Sequence, residues 1–378
     1  MMKKKLMAVA VGAALAAPAL SYAAIEISGR ANVGIGQWSA TGSTAGSAQD
    51  YKSRMRVWDS GSNITVKANE DLGGGLKAEV YLESGVNINS GDANNAGGAP
   101  NSATGNWGSR QGWAGLSGNF GKVLFGKINT WYGSGDQDLT QAVYLDSSVQ
   151  FATGVLAAGP GVNRQVNAVR YNSPMLGPVE VLVTYSPTSG AAGAGVNADG
   201  NVLALTVQGS QGPISGGFDW VKNKSAAPAS GSAAERTATK ERVGFKYQPG
   251  AQVSLILVQA SGKAATTGTE TKQTAWEVNW EHQMGNIGLH AQYGVAGKVK
   301  VAGADQADSS TKAFELGVRF IMSKTVYTYI NYVSYQNDAN ANLDFNAGGM
   351  SSAGTAGIPA TSAGADPKSL AFGMSYRF

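Results

Sequence analysis

Two histidines, His282 and His290, are the side chains best suited to acid–base or metal chemistry, because the sequence contains no cysteine. A strand that turns Trp280 toward one side also turns His282 there. A neighbouring strand that carries Leu289 outward turns His290 inward. Histidines on opposite faces do not form one metal centre, and no particular serine completes a hydrolase triad with either of them. We therefore expect no catalytic residue, no metal site and no cofactor.

A long polar segment, residues 130–163, carries three aspartates that could act on ions: Asp136, Asp138 and Asp146. The carboxylates of Asp136 and Asp138 could bind a cation, but the glycine and the distal glutamate of a calcium loop do not follow them. We therefore interpret Asp136 and Asp138 as acidic residues of a loop and not as a calcium site. The segment is also too long for an ordinary hairpin connection, which indicates that it is not a simple loop between two strands.

Five arginines in or beside predicted strands could supply the opposite charge: Arg54, Arg56, Arg110, Arg164 and Arg170. Placing Trp113 on the outer face of its strand puts Arg110 on the inner face. Placing Val169 outside turns Arg164 and Arg170 inside by the same rule. Arginines that face acids across a narrow aqueous section create a field that acts on passing ions. The alternative is a set of rim charges paired with loop acids.

The segments that position these charges follow a two-residue period. In the last of them one face carries Leu370, Phe372, Met374, Tyr376 and Phe378. Small residues and Arg377 share the other face. This is the period of a strand between two media, and a terminal aromatic residue opposite small or charged ones favours lipid on one side and a watery lumen on the other. A half-buried sheet of a soluble protein is the alternative.

The same period predicts sixteen strands, and single-chain outer-membrane barrels have an even number. The predicted strands lie near residues 25–36, 54–69, 75–88, 107–117, 122–129, 164–173, 178–186, 201–209, 213–222, 240–248, 251–260, 272–283, 286–295, 310–321, 325–335 and 367–378. Short turns alternate with long segments at 37–53, 88–106, 130–163, 187–200, 223–239, 261–271, 296–309 and 336–366. This alternation is typical of a barrel with short periplasmic turns and long extracellular loops.

Composition supports a single membrane-embedded domain. Charged residues make up 14% of the chain, against about 25% in ordinary soluble domains. Residues 1–23 combine three lysines, an apolar run and small residues, which predicts a secretory signal peptide; the run is too short for a membrane anchor. Residues 24–378 then form the barrel. The 29 basic residues minus the three signal lysines leave 26 against 25 acidic ones, so no nucleic-acid partner is expected.

Three motifs resemble one family of membrane proteins: Glu70–Ala78, Arg110–Val123 and the terminal Tyr376-Arg377-Phe378. Together they resemble the general-diffusion porins of the Gram-negative outer membrane, beta-proteobacterial type, over the whole mature chain. The resemblance implies an all-β, 16-stranded antiparallel transmembrane β-barrel, a homotrimer, and a third extracellular loop folded inward to narrow the pore. It also implies that Tyr376 and Phe378 belong to the signal read by the barrel-insertion machinery.

One departure from the family pattern concerns Asn63, where members often carry an arginine of the second strand. Arg54 and Arg56 lie a few residues earlier and are candidates for a site nearer the outer mouth. A bulge at residues 59–61 would restore the register of this strand. Arg377 is expected to face the lumen near the periplasmic exit, away from the narrowest section.

The predicted function is a water-filled outer-membrane channel for passive diffusion of small hydrophilic solutes and ions, embedded in outer-membrane lipid. Five candidate arginines against three candidate aspartates favour anions. Two alternatives stay open: a substrate-selective channel of the same fold, and a structural or adhesive surface barrel without a pore.

Overall fold

A computed structural model describes residues 24–59, 61–86, 88, 107–130, 164–187, 200–224, 233–344 and 362–378. Sixteen antiparallel barrel strands form one closed sheet. They are β1 Ala24–Thr41, β2 in two segments Tyr51–Asp59 and Asn63–Gly73, β3 Leu76–Gly85, β4 Gln111–Gly118, β5 Gly121–Asn129, β6 Arg164–Asn172, β7 Val179–Ser186, β8 Asn201–Gln211, β9 Ile214–Lys224, β10 Ala233–Gln248, β11 Ala251–Ala264, β12 Glu270–Met284, β13 Ile287–Ala296, β14 Thr311–Ile321, β15 Val326–Asn337 and β16 Asp366–Arg377. The predicted fold class and strand number are confirmed.

The last strand closes the barrel onto the first, which removes the free sheet edges. Its register with β1 begins with Arg30 opposite Arg377. The main chains of Gly29 and Phe378 add two hydrogen bonds, of 2.9 and 3.1 Å. A Cβ atom at position 29 would lie 2.5 Å from the Phe378 ring. The terminal aromatic ring therefore packs at this position because residue 29 is glycine.

The two segments of β2 are separated by a bulge. Asn63 faces Arg30, and Asp59 faces Val33, so three residues of β2 span the space opposite two residues of β1. The Oγ atom of Ser62 accepts a hydrogen bond of 2.9 Å from the main chain of β1. The sequence prediction of one strand with a bulge near residues 59–61 is confirmed.

The two faces of the strands differ as the period predicts. On β16 the outward side chains are exposed: Leu370 52%, Phe372 51%, Met374 41%, Tyr376 43%, and Phe378 54% just beyond the strand end. The inward residues of the same strand include Ala371 and Ser375, which are buried. On the inner wall toward the outer end of the barrel, buried apolar residues such as Trp38 and Val333 pack together. Among the described residues, no helix is long and apolar enough to cross a bilayer.

Connections at the two ends of the barrel differ in length. At one end, turns of two to six residues connect β2 to β3, β4 to β5, β6 to β7, β8 to β9, β10 to β11, β12 to β13 and β14 to β15. At the other end the connections cover residues 42–50, 86–110, 130–163, 187–200, 225–232, 265–269, 297–310 and 338–365. The predicted alternation is confirmed, but three connections are much shorter than predicted. The connections predicted at 37–53, 223–239 and 261–271 cover only 42–50, 225–232 and 265–269, because the strands beside them continue further outward than the period indicated.

Candidate functional site

Four arginine side chains converge on one cavity of the inner wall: Arg30, Arg110, Arg164 and Arg377. We call these four residues the arginine wall. The cavity has a volume of ≈ 420 Å³, and its lining also includes Tyr81, Glu83, Gln111 and Asn129. Glu83 is the one carboxylate side chain among the described residues of this lining, which also includes the terminal residue Phe378. Four arginine side chains therefore share one acidic side chain.

Short strands place two of these arginines well inside the barrel. Arg110 directly precedes β4, and Arg164 is the first residue of β6. β4 has 8 residues and β5 and β6 have 9 each, whereas β1 has 18. Because a strand rises about 3.3 Å per residue, β4 and β6 stop well short of the outer end of β1. Their outer ends therefore reach the cavity that Arg377 lines from the end of β16.

The carboxylate of Glu83 organises one side of the cavity. Its Oε1 atom lies 2.5 Å from the Nε atom of Arg110. Its Oε2 atom accepts hydrogen bonds of 2.9 Å from Gln111 Nε2 and 3.3 Å from the Tyr81 hydroxyl. Arg164 is also close enough to interact with it electrostatically. The side chain of Glu83 thus contacts part of the arginine wall, and its one negative charge is smaller than the four positive charges of the wall.

Arg30 and Arg377 face each other directly across β1 and β16. Like charges in opposite positions of an antiparallel pair destabilise a sheet. The Nη2 atom of Arg30 donates a hydrogen bond of 3.0 Å to the main-chain oxygen of Gly61 in the β2 bulge. The ladder thus brings two positive charges to the same cavity.

Arg30 is the site residue that sequence reasoning missed, and Arg377 is the one it misplaced. Arg30 lies directly opposite Asn63, so β1 supplies a cation next to the position where an arginine of β2 was expected. Aligning β1 with β2 by register would have found it. Arg377 was expected to lie apart from Arg110 and Arg164, but it lines the same cavity as these two residues.

Arg110 reaches the cavity, although the reason predicted for its direction is wrong. Trp113 faces the lumen and not lipid, because its ring stacks on Tyr81 with centroids 5.3 Å apart. Tyr81 itself bonds to Glu83 inside the cavity. The pleat of β4 therefore does not turn Arg110 inward. Arg110 lies in the bend before β4, and its contact with Glu83 turns its side chain toward the lumen.

Arg164 and Arg170 lie in different environments because β6 contains a bulge. Asn167 has a φ of 50°, and the register with β5 shifts at this point. Arg170 lies on the inner face as predicted, but its Nη1 atom donates a hydrogen bond of 2.9 Å to the main-chain oxygen of Asn129. It supports the end of β5, and it is absent from the described lining of the cavity.

Of the remaining predicted charged residues, the structure describes the side chain of Arg54 alone. Arg54 faces the inward residue Trp38 in the ladder, and its guanidinium carbon lies 5.6 Å from the centre of the Tyr51 ring. Its side chain is exposed. The side chain of Arg56 lies outside the described residues. The same holds for the three acids of the long connection, Asp136, Asp138 and Asp146.

The opposite region of the inner wall carries charges of both signs in contact. Arg242 Nη2 lies 2.9 Å from Asp219 Oδ2, and the two side chains are 8% and 1% exposed. Asp219 Oδ1 accepts a hydrogen bond of 2.6 Å from the Thr206 hydroxyl. His290 Nε2 lies 3.5 Å from Glu315 Oε1, and both side chains are fully buried; this contact is an ion pair only when His290 is protonated. We call Asp219 and Arg242 the paired wall.

The two histidines lie on opposite faces of the barrel, as predicted. His282 is on the outer face, where its Nδ1 atom lies 3.1 Å from the Tyr247 hydroxyl and its Nε2 atom 3.0 Å from the Gln248 amide. His290 belongs to the inner wall. Within the described part of the chain, no group of three or more histidine and acidic side chains could hold a metal ion.

Comparison with known proteins gives a consistent result. Residues 8–340 match the sequence profile of the Gram-negative porins. The chain is 26% identical over 326 residues to the major outer membrane protein P.IB of Neisseria lactamica, which covers 85% of this chain and 90% of that protein. An anion-selective porin from Comamonas acidovorans has a similar structure, with a TM-score of 0.74, 21% identity and coverage of 94% of this chain and 100% of that one. The trimer form of OmpT from Vibrio cholerae gives a TM-score of 0.63 at 15% identity, over 94% and 99% of the two chains.

Proposed function

This chain belongs to the Gram-negative porin family and is an outer-membrane porin, and we propose that the arginine wall gives its water-filled channel a preference for small anions. The observation that carries the proposal is the cavity in which four arginine side chains share one acidic side chain, that of Glu83. The similar structure from Comamonas acidovorans is that of an anion-selective porin, which supports the same direction.

The physical reason is the concentration of like charge in a narrow aqueous section. Two unit charges about 4 Å apart interact by about 1 kcal/mol in bulk water, and more strongly beside a low-dielectric wall. An excess of fixed positive charge lowers the free energy of a passing anion and raises that of a cation. Hydrophilic solutes without charge are little affected and diffuse down their gradients.

Planar-bilayer recording under a salt gradient tests this proposal. We expect stepwise conductance and a reversal potential displaced toward the chloride equilibrium potential. A reversal potential displaced toward potassium would overturn the anion preference. Saturation or block of the conductance by one solute would instead favour a substrate-selective channel of the same fold. Purified protein that gives no conductance steps would support a surface barrel without a pore.

The proposed partners of the arginine wall are the acids of an inward-folded third connection, residues 130–163. Asp136, Asp138 and Asp146 would face the arginines across the narrowest section and complete a transverse field. Arg54 and Arg56 would act nearer the outer mouth, since they belong to the outer segment of β2. We assign Arg170 a supporting position, because it bonds to the main chain at the end of β5.

We propose that the barrel has no catalytic activity. Membership in a porin family supports a channel, and the placement of His282 and His290 on opposite faces leaves no shared acid–base pair. A lipid-hydrolysis assay on purified protein tests this statement. Hydrolysis that disappears in His290→Ala would contradict it.

We propose a homotrimer, for which a solved neighbour in trimer form gives support. On the outer faces of β1 to β5, Phe125 is the one aromatic side chain among the exposed large apolar residues that the structure describes. The corresponding aromatic residues of β6 to β16 are Tyr171, Tyr185, Phe218, Phe245, Tyr247, Trp276, Tyr293, Phe320, Phe372 and Tyr376. Because aromatic residues mark the lipid headgroup belts, the aliphatic sector suits contact with neighbouring copies.

A charge on the outer face of β2 tests the trimer. Val57→Arg should yield monomers, since Val57 is 61% exposed on the aliphatic sector. Leu316→Arg on β14 is the matched control, because Leu316 is 55% exposed on the aromatic sector. The mass of the detergent-solubilised protein gives the readout. Loss of the trimer in both variants, or in neither, would contradict the assigned interface.

We also propose that residues 1–23 are a cleaved signal peptide and that Tyr376 and Phe378 belong to the signal read by the barrel-insertion machinery. N-terminal sequencing of the mature protein should begin at Ala24. Phe378→Ser should reduce the amount of protein inserted in the outer membrane. Normal insertion of that variant would contradict the role of the terminal residue.

A further inference from the structure

The Glu83 carboxylate is the centre of a hydrogen-bonded chain that links four strands. Glu83 accepts hydrogen bonds of 2.5 Å from Arg110 Nε and 2.9 Å from Gln111 Nε2. The Oε1 atom of Gln111 accepts a hydrogen bond of 3.3 Å from the main-chain nitrogen of Asn129. The main-chain oxygen of Asn129 accepts one of 2.9 Å from Arg170. The chain thus runs from β3 through β4 and β5 to β6.

The backbone and the side chain of Arg110 are both held by Glu83. Arg110 precedes β4, and its main-chain nitrogen donates a hydrogen bond of 2.9 Å to the main-chain oxygen of Glu83. The side chains of Arg110 and Glu83 are 14% and 9% exposed. A free arginine side chain has many rotamers, whereas a charge-assisted hydrogen bond in a buried position selects one. Glu83 therefore selects the place where the Arg110 charge is held.

We propose that Glu83 is a positioning residue that holds the Arg110 guanidinium in the arginine wall. This inference rests on the proposed anion preference. If Glu83 acted only through its negative charge, every neutral replacement would raise the anion preference equally. If it positions Arg110, glutamine and alanine differ, because glutamine keeps an oxygen that can accept the Nε–H bond and alanine does not.

The test compares Glu83→Gln and Glu83→Ala, each in the original protein and in an Arg110→Gln background. The chloride-to-potassium permeability ratio is obtained from the reversal potential. We expect Glu83→Gln to raise this ratio by about threefold, as the loss of one nearby negative charge predicts. We expect Glu83→Ala to raise it less, since Arg110 is released. In the Arg110→Gln background the two variants should give the same ratio.

Equal ratios for Glu83→Gln and Glu83→Ala in the original protein would overturn the positioning role. If the original protein itself favours potassium over chloride, the proposed anion preference fails instead, so the two failures are distinguishable. Should Glu83→Ala not fold, Glu83→Asp replaces it: the charge is kept and the side chain shortened, so a changed ratio supports positioning and an unchanged one contradicts it.

Glu79→Gln serves as the matched control. Glu79 lies on the same strand and its Oε2 atom is 2.6 Å from Lys122 Nζ, but it is absent from the described lining of the cavity. Its permeability ratio should equal that of the original protein. A threefold rise in this variant as well would show that any lumenal carboxylate has the effect, which contradicts a special role for Glu83.

Discussion

Two regions of the inner wall carry similar side chains in different arrangements. In the arginine wall four guanidinium groups share one acidic side chain, and Arg30 and Arg377 even stand in opposite positions of one ladder. In the paired wall each charge has a partner, as in the contact of 2.9 Å between Arg242 and Asp219. We therefore expect the first region to act more strongly on passing ions than the second, whose opposite charges offset each other at short range.

The difference follows from where the residues lie in the strands. Arg110 and Arg164 stand at strand beginnings, where the side chain can turn away from the pleat. Asp219 and Arg242 lie within long strands and are diagonal neighbours in one ladder, since Gly217 is opposite Arg242 and Asp219 opposite Lys240. Burial there requires a partner for each charge. We therefore expect barrel stability and ion selection to depend on different regions.

The largest expected effect comes from breaking the paired wall. Asp219→Asn keeps the acceptor for Thr206 but leaves the buried Arg242 without its counter-charge. Removing one partner of a buried ion pair costs about 3 kcal/mol. We expect a lower denaturant midpoint of unfolding in detergent micelles and a permeability ratio close to the original.

The matched control for this variant is Asp305→Asn. Asp305 pairs with Lys300 at 3.3 Å, but both side chains are more than half exposed, and exposed pairs contribute little. Its unfolding midpoint should not change measurably. An unchanged midpoint for Asp219→Asn as well would show that the paired wall does not stabilise the barrel.

The next largest effect is expected from reversing one charge of the arginine wall. Arg110→Glu replaces a positive by a negative charge beside Glu83, and it should shift the chloride-to-potassium permeability ratio toward potassium by about tenfold, equivalent to about 1.4 kcal/mol. The reversal potential under a salt gradient measures the shift. An unchanged value would remove Arg110 from the narrow section.

A smaller effect is expected when one charge is only removed. Arg377→Gln should lower the permeability ratio by about threefold, because a single positive charge is lost from the cavity. The reversal potential under a salt gradient measures the ratio. An unchanged ratio would show that Arg377 lies outside the section that selects ions.

Much of the fold could be predicted from the sequence because apolar and polar residues alternate along each strand, and this two-residue period shows which residues share a face. The exposed row that ends in Tyr376 and Phe378, the bulge of β2 and the opposite directions of His282 and His290 all follow from this period. A local pattern is sufficient for such features, since the pleat fixes direction within a regular strand.

The cavity could be predicted only in part, since several of its residues lie where the alternation of inward and outward side chains is interrupted. Trp113 carries an aromatic ring that suits either lipid or lumen, and its assignment to lipid was wrong. The bulge at Asn167 gives Arg164 and Arg170 different environments. Arg30 becomes recognisable only when β1 is aligned with Asn63 in the ladder. Register across strands is a long-range property that a single strand does not encode.

The smallest effect is expected at the outer mouth. Arg54→Gln should change the permeability ratio by less than about twofold, because its exposed side chain lies beside Tyr51 and its charge is screened by solvent. Ionic strength distinguishes it from the arginine wall. At 1 M salt the screening length falls to about 3 Å, so the effect of Arg54→Gln should vanish while that of Arg377→Gln persists in reduced form. Equal losses in both variants would show that ions meet the two arginines in equally open water, and the narrow section would then lie elsewhere.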